Sequence, residues 1–242
     1  MMPAAHRLAR RQYDIQNVKN PAAVFRATLR GMKPVDTEFE GLALYPRLLD
    51  EAAQAALVVL LTRAFEHNPP YRPRMPRTGK PWSIRQTNFG PLGWVSRPDG
   101  YGYAAKNEVN DASWPAIPAA LLALWDDLAA YPAPPECCLV NLYDHPGARM
   151  GLHRDEDEQA LDAPVVSLSL GDTCNFRVGG FARSDRSKSF RLSSGDVLVM
   201  GGPSRLRFHG VDRLVFGSSR LIPGGGRINL TLRRVTKPLS RD

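Results

Sequence analysis

The hydrophobic pattern of the chain changes near its middle, from helical spacing to short alternating runs. Two segments of the first half carry apolar residues three and four apart, which is the spacing of an amphipathic helix. The first helix is predicted to follow the N-cap Asp50 and to reach about His67, with an inward face of Leu57, Leu60, Leu61 and Ala64. The second is predicted to start at Pro118 and to end before Pro132, with an inward face of Leu121, Leu124, Trp125 and Leu128.

From Cys137 onward, short runs of apolar residues, several alternating with polar ones, are separated by turns rich in glycine, aspartate and serine. Such runs predict β-strands. The predicted strands are Leu139–Tyr143, Met150–Asp155, Val165–Leu170, Asn175–Val178, Phe190–Leu192, Val197–Met200, Leu206–His209 and Arg227–Arg233. Many short strands at this spacing favour a β-sandwich or jelly roll. We therefore expect an α+β fold, mainly β, with the two N-terminal helices packed against one sheet.

Composition bounds the kind of protein. The 242 residues, 43% of them hydrophobic, suffice for one large domain with a real core. No apolar run approaches the roughly 20 residues that cross a bilayer, so no membrane segment is expected. Three cysteines, two of them adjacent at 137 and 138, cannot form a disulfide framework, which favours a reducing compartment and predicts a cytoplasmic protein. The net charge of +8 favours an anionic partner such as nucleic acid, although many basic proteins bind none.

The chain is predicted to hold one folded domain between two short ends. Residues 1–35 form a basic N-terminal arm, for which a transit peptide is the alternative interpretation, and residues 237–242 form a tail. The arm contains Arg7, Arg10, Arg11, Lys19, Arg26, Arg30 and Lys33. Residues 36–236 are expected to form the single domain.

A candidate metal site begins with His153 and Asp155, which read His-x-Asp inside a predicted strand. Residues two apart in a strand point to the same side, so an imidazole and a carboxylate would project together. Iron(II) oxygenases bind their metal through two histidines and one carboxylate. Of the five histidines, His209 is the remaining one in a strand pattern. Zinc accepts the same side chains, and most His-x-Asp pairs in proteins bind no metal, so both alternatives stay open.

The predicted strand Arg227–Arg233 alternates throughout, with Arg227, Asn229, Thr231 and Arg233 on one face. Asn141 and Tyr143 form a second polar face. An arginine fork suits a dicarboxylate such as 2-oxoglutarate. Two arginines six residues apart lie roughly 20 Å from each other in an extended strand, so their side chains would have to lean together. An ordinary half-exposed strand is the alternative, and this segment alone favours it.

Six motifs in order resemble the bacterial AlkB family of Fe(II)- and 2-oxoglutarate-dependent dioxygenases, over about residues 36–235. They are TNFGPLGW at 87–94, NLY at 141–143, GLHRD at 151–155, SLSLG at 167–171, SRLRFHG at 204–210 and RINLTLR at 227–233. The resemblance implies a double-stranded β-helix (jelly roll) core, with Fe(II) bound by His153, Asp155 and His209. By matched position, Arg227, Asn229 and Tyr143 would hold the distal carboxylate of 2-oxoglutarate. Arg233 and Asn141 would lie near its metal-proximal carboxylate.

On the substrate side, the resemblance implies a nucleotide-recognition lid at about residues 67–106. Trp94 would stack on a flipped alkylated base, Tyr101 would be a lid or phosphate contact, and Arg183 would lie at the pocket rim. Asp157 would approach the exocyclic nitrogen of the base. A carboxylate there would stabilise N1-methyladenine and N3-methylcytosine, which are cationic. A solvated acidic turn formed by Asp157 and Glu158 is the alternative.

The function implied by the resemblance is oxidative dealkylation of such bases in DNA or RNA. It would couple decarboxylation of 2-oxoglutarate by O₂ to hydroxylation of the alkyl group and release of formaldehyde. We expect a monomer. Two alternatives stay open: the same iron chemistry on tRNA, a protein or a small molecule, and a non-catalytic β-barrel that binds nucleic acid.

Overall fold

A computed structural model describes residues 33–238 of the protein. Most of the predicted basic arm and most of the predicted tail therefore lie outside the described residues. Helices span Glu51–His67 (α1) and Ala119–Leu128 (α2). Strands span Leu42–Tyr45 (β1), Arg85–Phe89 (β2), Gly93–Arg97 (β3), Gly100–Ala104 (β4), Cys137–Tyr143 (β5), Met150–His153 (β6), Val165–Gly171 (β7), Cys174–Val178 (β8), Lys188–Leu192 (β9), Val197–Met200 (β10), His209–Leu214 (β11) and Arg227–Arg233 (β12). Across residues 33–238, no helix has the length and apolar character needed to span a membrane.

Two antiparallel sheets form the core. The larger has the strand order β1-β10-β7-β12-β5-β2, and the smaller has the order β6-β11-β8-β9. Val165 and Leu198 of the larger sheet share a buried apolar cluster with Phe176 and Val211 of the smaller one. Because the two sheets face each other across this cluster, their strands form the predicted double-stranded β-helix.

Both predicted helices are confirmed, and they pack against the larger sheet. Leu57 of α1 and Leu124 of α2 share one buried cluster with Leu168 of β7 and Leu230 of β12. The Asp50 side chain accepts a hydrogen bond from the Ala53 N–H at 2.8 Å, which is the predicted N-cap. The helices therefore cover the outer face of the larger sheet and leave its inner face to the cavity.

Two of the predicted strands are misplaced at the metal site. The strand predicted for Met150–Asp155 ends at His153, so Asp155 lies in the segment that follows. The strand predicted for Leu206–His209 instead begins at His209 and runs to Leu214. The physical reason is Arg205, whose buried guanidinium donates to the carbonyls of Ala163 and Asp155 and fixes this segment before the ladder starts.

Four strands were not predicted, namely β1, β2, β3 and β4. The case of β2 explains why, since its side chains Gln86, Thr87 and Asn88 are buried although they are polar. A buried strand with partnered polar side chains lacks the apolar alternation that marks strands in a sequence. The strand β2 also falls inside the range predicted for the lid, yet it forms an edge of the larger sheet.

The entry to β12 is held by Asp172, which is fully buried. Its carboxylate accepts backbone N–H groups from Gly217, Ser219 and Gly226 at 2.7–2.9 Å. Gly226 has a φ of +105°, and a Cβ there would lie 2.6 Å from the Tyr143 carbonyl oxygen. This turn therefore needs glycine and a buried carboxylate, and it places Arg227 directly after it.

We predict that Asp172→Ala lowers the free energy of unfolding by about 3 kcal/mol, because several buried N–H groups lose a charged acceptor. Urea unfolding of the purified proteins measures this difference. Asp212→Ala, at an exposed carboxylate on β11, is the control and should change the free energy by less than about 1 kcal/mol. Equal stability of wild type and Asp172→Ala would contradict the assigned role of Asp172.

Candidate metal centre and its cavity

Three side chains from two distant parts of the chain meet at the wall of one cavity. One ligand atom from each of His153, Asp155 and His209 lies within 4.8 Å of the other two. The Nε2 atoms of His153 and His209 lie 3.8 and 4.0 Å from the carboxylate oxygens of Asp155. The two histidines are directly opposite each other in the β6–β11 ladder. The structure thus brings together the three residues predicted from the sequence.

Hydrogen bonds orient both imidazoles. Nδ1 of His153 lies 2.9 Å from the Gly151 carbonyl oxygen, and Nδ1 of His209 lies 3.1 Å from that of Arg207. A carbonyl only accepts, so each Nδ1 carries the proton, and each Nε2 presents a lone pair towards Asp155. The carboxylate atom Oδ2 of Asp155 is buried and has no hydrogen-bond partner within residues 33–238. The two Nε2 atoms and Oδ2 of Asp155 are thus free to act as ligands to a divalent metal.

Asp155 is held as an anion by Arg233, on the opposite sheet. Burial alone would raise the pKa of Asp155, but Arg233, His209 and His153 together lower it well below its ordinary value. Nη2 of Arg233 donates to Oδ1 of Asp155 at 2.8 Å, and both side chains are buried. Oδ1 is therefore bonded to Arg233 while Oδ2 is left for a metal.

Sequence reasoning missed a network behind this pair. Glu158 is 5% exposed and pairs with Arg205 at 3.0 Å and with Arg233 at 3.6 Å. Tyr103 of the β3–β4 hairpin donates to Glu158 and lies 3.3 Å from Nη1 of Arg233. The alternative of a solvated acidic turn is thus wrong for Glu158. No periodic signal marks these residues, because the contacts join segments 47 to 130 positions apart.

A cavity of about 710 Å³ opens from the metal cluster, and all twelve predicted site residues line it. Arg227 is 2% exposed, and its Nε and Nη1 have no hydrogen-bond partner among the residues described. Its guanidinium lies 5.9 Å from the centre of the Tyr143 ring. Two buried, unpaired N–H groups beside a cavity favour an anionic ligand there.

The rest of β12 is also buried, so the half-exposed alternative is wrong. Thr231 donates to Oδ1 of Asn229 at 2.9 Å, and Asn141 lies opposite Asn229 in the neighbouring strand. Ile228, Leu230 and Leu232 point into the apolar cluster under the helices. The polar face of β12 therefore lines the cavity while its apolar face packs against the core.

The predicted substrate residues form another wall of the cavity. Trp94 donates its indole N–H to Asp157 at 2.9 Å, and its ring stacks on Tyr101 with centroids 5.1 Å apart. Tyr101 is 47% exposed, and Arg183 is exposed as well. Burial is the largest influence on Asp157 and raises its pKa. The wall thus combines flat aromatic surface with a carboxyl group that is bonded to Trp94 and belongs to an exposed residue.

We predict that metal-free protein loses stability as the pH falls from 7.5 to 5, because of His209. Burial, followed by the nearby His153, lowers the pKa of His209 from 6.5 to about 4. As the pH falls, His209 therefore binds a proton in the unfolded state before it does so in the folded state. The contribution of neutral His209 to the free energy of unfolding is complete above pH 6.5 and is lost as the pH falls towards 4. Between pH 7.5 and pH 5 the free energy of unfolding should fall by about 2 kcal/mol more in the wild-type protein than in His209→Asn. Urea unfolding at each pH measures it, and parallel pH profiles for the two proteins would contradict it.

Comparisons with known proteins agree with this geometry. Residues 41–233 match the model of the 2OG-Fe(II) oxygenase superfamily. The chain is 50% identical over 202 residues to an alpha-ketoglutarate-dependent dioxygenase AlkB homolog of Caulobacter vibrioides, covering 84% of this chain and 90% of that protein. It is 40% identical over 172 residues to alpha-ketoglutarate-dependent dioxygenase AlkB of Escherichia coli, covering 69% and 79%.

A solved structure, that of OsALKBH1, superimposes with a TM-score of 0.71 at 29% identity, covering 83% of this chain and all of that one. The matched segment contains the three metal-binding side chains and both buried arginines of β12. The sequence, the fold and the site all lead to one assignment. The chain belongs to the 2OG-Fe(II) oxygenase superfamily, and within it to the AlkB dioxygenases.

Proposed function

We propose that this protein removes alkyl groups oxidatively from N-alkylated bases of DNA or RNA, such as N1-methyladenine and N3-methylcytosine. One observation carries the proposal: the His153, Asp155 and His209 cluster shares its cavity with the unpaired Arg227 and with the wall of Trp94 and Asp157. Bound Fe(II), 2-oxoglutarate and O₂ supply the oxidising power, which hydroxylates the N-alkyl carbon so that a methyl group leaves as formaldehyde.

The metal would be held by Nε2 of both histidines and by Oδ2 of Asp155. The donor set fits iron(II), because two histidines and one carboxylate leave further coordination positions open for the cosubstrate and oxygen. The proton on each Nδ1 is bonded to a backbone carbonyl, so neither ring has to reorient when the metal binds.

Arg227 would bind the distal carboxylate of 2-oxoglutarate, with Tyr143 and Asn229 beside it. The support is its two buried, unpaired N–H groups, which a carboxylate can accept as a charge-assisted pair. Asn141 and Arg233 would lie near the metal-proximal carboxylate. Since Arg233 already donates to Asp155, its main effect would be to position that ligand.

The alkylated base would enter against Trp94 after leaving the stack, because its reacting atom lies in the pairing edge. Asp157 would face the cationic ring, and the positive charge of the base would offset the cost of burying this carboxylate. Tyr101 and Arg183 would contact the nucleotide at the cavity mouth. A relative in Schizosaccharomyces pombe that is 31% identical over 147 residues is named a tRNA demethylase, which keeps RNA among the candidate substrates.

We further propose that residues 36–236 act as one catalytic domain with a nucleotide-recognition lid at about 67–106. The β3–β4 hairpin and the loop of residues 69–81, which carries Arg72, Arg74 and Arg77, support the lid, since both border the cavity. A basic arm at 1–35 and a tail at 237–242 complete this division. We also propose a monomer in the cytoplasm, because one chain supplies all twelve predicted site residues and all three cysteines are free.

We predict formaldehyde release from single-stranded DNA or RNA containing N1-methyladenine when Fe(II), O₂ and 2-oxoglutarate are all present. Asp155→Ala should abolish release, because it removes a metal ligand, whereas Asp126→Ala on the exposed face of α2 should keep the wild-type rate. Omitting 2-oxoglutarate should also stop the reaction. Activity on a protein or small molecule but on no methylated oligonucleotide would refute the proposed substrate class.

We predict that Arg227→Lys raises the KM for 2-oxoglutarate about tenfold or more, since lysine keeps the charge but loses the planar fork. The kcat at saturating 2-oxoglutarate should change much less. Arg213→Lys, at an exposed position of β11, is the matched control and should leave the KM unchanged. An unchanged KM in Arg227→Lys would show that the dicarboxylate binds elsewhere.

A further inference from the structure

Several polar atoms on residues that line the cavity are buried and have no hydrogen-bond partner within the described part of the chain. They are Oδ2 of Asp155, Nε and Nη1 of Arg227, Nε of Arg233, Nε1 of Trp82 and Oε1 of Gln86. The proposed metal accounts for Asp155 and 2-oxoglutarate for Arg227, while Nε of Arg233 lies 3.6 Å from Glu158. Two atoms then have no assigned role, namely the indole N–H of Trp82 and the amide oxygen of Gln86.

A chain of amides determines which atom of Gln86 is unpaired. Asn229 lies 3.1 Å from the backbone carbonyl of Leu168, which only accepts, so Asn229 must direct its NH₂ group there. Its oxygen then faces the NH₂ group of Asn141 at 3.5 Å. The oxygen of Asn141 in turn accepts from the NH₂ group of Gln86 at 2.7 Å. The orientation of Gln86 is therefore fixed by the backbone of β7, three strands away in the sheet, and its oxygen is the unpaired atom.

An unpaired acceptor at this position excludes one ligand. At neutral pH 2-oxoglutarate offers only acceptor oxygens, so it cannot satisfy the oxygen of Gln86. Gln86 is 2% exposed, and a buried carbonyl without a donor is costly. This oxygen can be satisfied only by a hydrogen-bond donor, and of the proposed organic ligands the base is the one that carries amino N–H groups.

Trp82 lies on the aromatic wall where the base is proposed to enter. Its ring centroid is 5.6 Å from that of Trp94 and 6.2 Å from that of Tyr101. Trp82 precedes β2 and Gln86 lies within it, four residues further along the chain. One short segment therefore carries both a donor and an acceptor. The indole N–H needs an acceptor, which every nucleobase offers as a ring nitrogen or a carbonyl oxygen.

We infer that Gln86 and Trp82 read the base, with Gln86 accepting from an exocyclic amino group and Trp82 donating to a base acceptor. The inference rests on the proposed function and narrows its substrate class. Adenine and cytosine carry an amino group on C6 and C4, next to the alkylated nitrogen, where guanine and thymine carry an oxygen. The amino group of guanine lies on the other side of that nitrogen, at C2. An oxygen facing Oε1 of Gln86 leaves both acceptors unsatisfied, so the pocket selects amino bases over oxo bases.

The test measures kcat/KM on four oligonucleotides of one sequence that carry N1-methyladenine, N3-methylcytosine, N1-methylguanine or N3-methylthymine. In wild type the amino bases should be preferred over the oxo bases. Gln86→Leu should reduce that preference at least tenfold, and since both side chains are uncharged, loss of charge cannot explain the change. Gln86→Glu retains an acceptor and should keep the preference. Trp82→Phe should lower kcat/KM on all four by a similar factor, because each base has an acceptor.

Anaerobic binding of the same fluorescent oligonucleotides, followed by anisotropy, gives a readout that needs no turnover and should show the same order. An unchanged amino-to-oxo ratio in Gln86→Leu would overturn the inference while leaving the dealkylation activity standing. An equal loss of preference in Gln86→Leu and Gln86→Glu would mean that Gln86 only orients Asn141. This result would also overturn the inference. Wild-type protein that is inactive on every methylated base would refute both the proposed function and this inference.

Discussion

The ion pair between Asp155 and Arg233 is the interaction on which the rest of the site depends. Asp155 follows β6 of the smaller sheet, and Arg233 ends β12 of the larger one. A buried carboxylate is unstable unless a charge or hydrogen bonds compensate it. The buried metal ligand keeps its charge because closure of the two sheets brings Arg233 against it, which makes the metal centre a product of the whole fold.

The same pair connects the metal to the proposed base pocket. Tyr103 contacts both Glu158 and Arg233 from the β3–β4 hairpin, and Trp94 of the same hairpin donates to Asp157. The hairpin is thus bonded to the segment 155–158 at two points. A base bound against Trp94 would lie on a wall that is rigidly connected to the metal ligand, which is the positioning that an oxidation at a single carbon requires.

Much of this architecture could be predicted from residue patterns. The alternation of Arg227–Arg233 separates a polar face from an apolar face, and the structure places the first on the cavity and the second on the core. The helix after Asp50 follows from its cap and its spacing. The strand β2 could not be predicted in this way, because the polar residues it buries find their partners only in the folded protein. Arg205 and Glu158 also carry no local signal, since their bond joins residues 47 positions apart.

Anaerobic titration of the metal-free protein with Fe(II) in the presence of 2-oxoglutarate tests the central claim most directly. If His153, Asp155 and His209 hold one ferrous ion beside the cosubstrate, a weak visible absorption band should appear and saturate at one Fe(II) per chain. Asp155→Ala should not develop the band. A wild-type protein without the band, or a variant that keeps it, would contradict this account of the site.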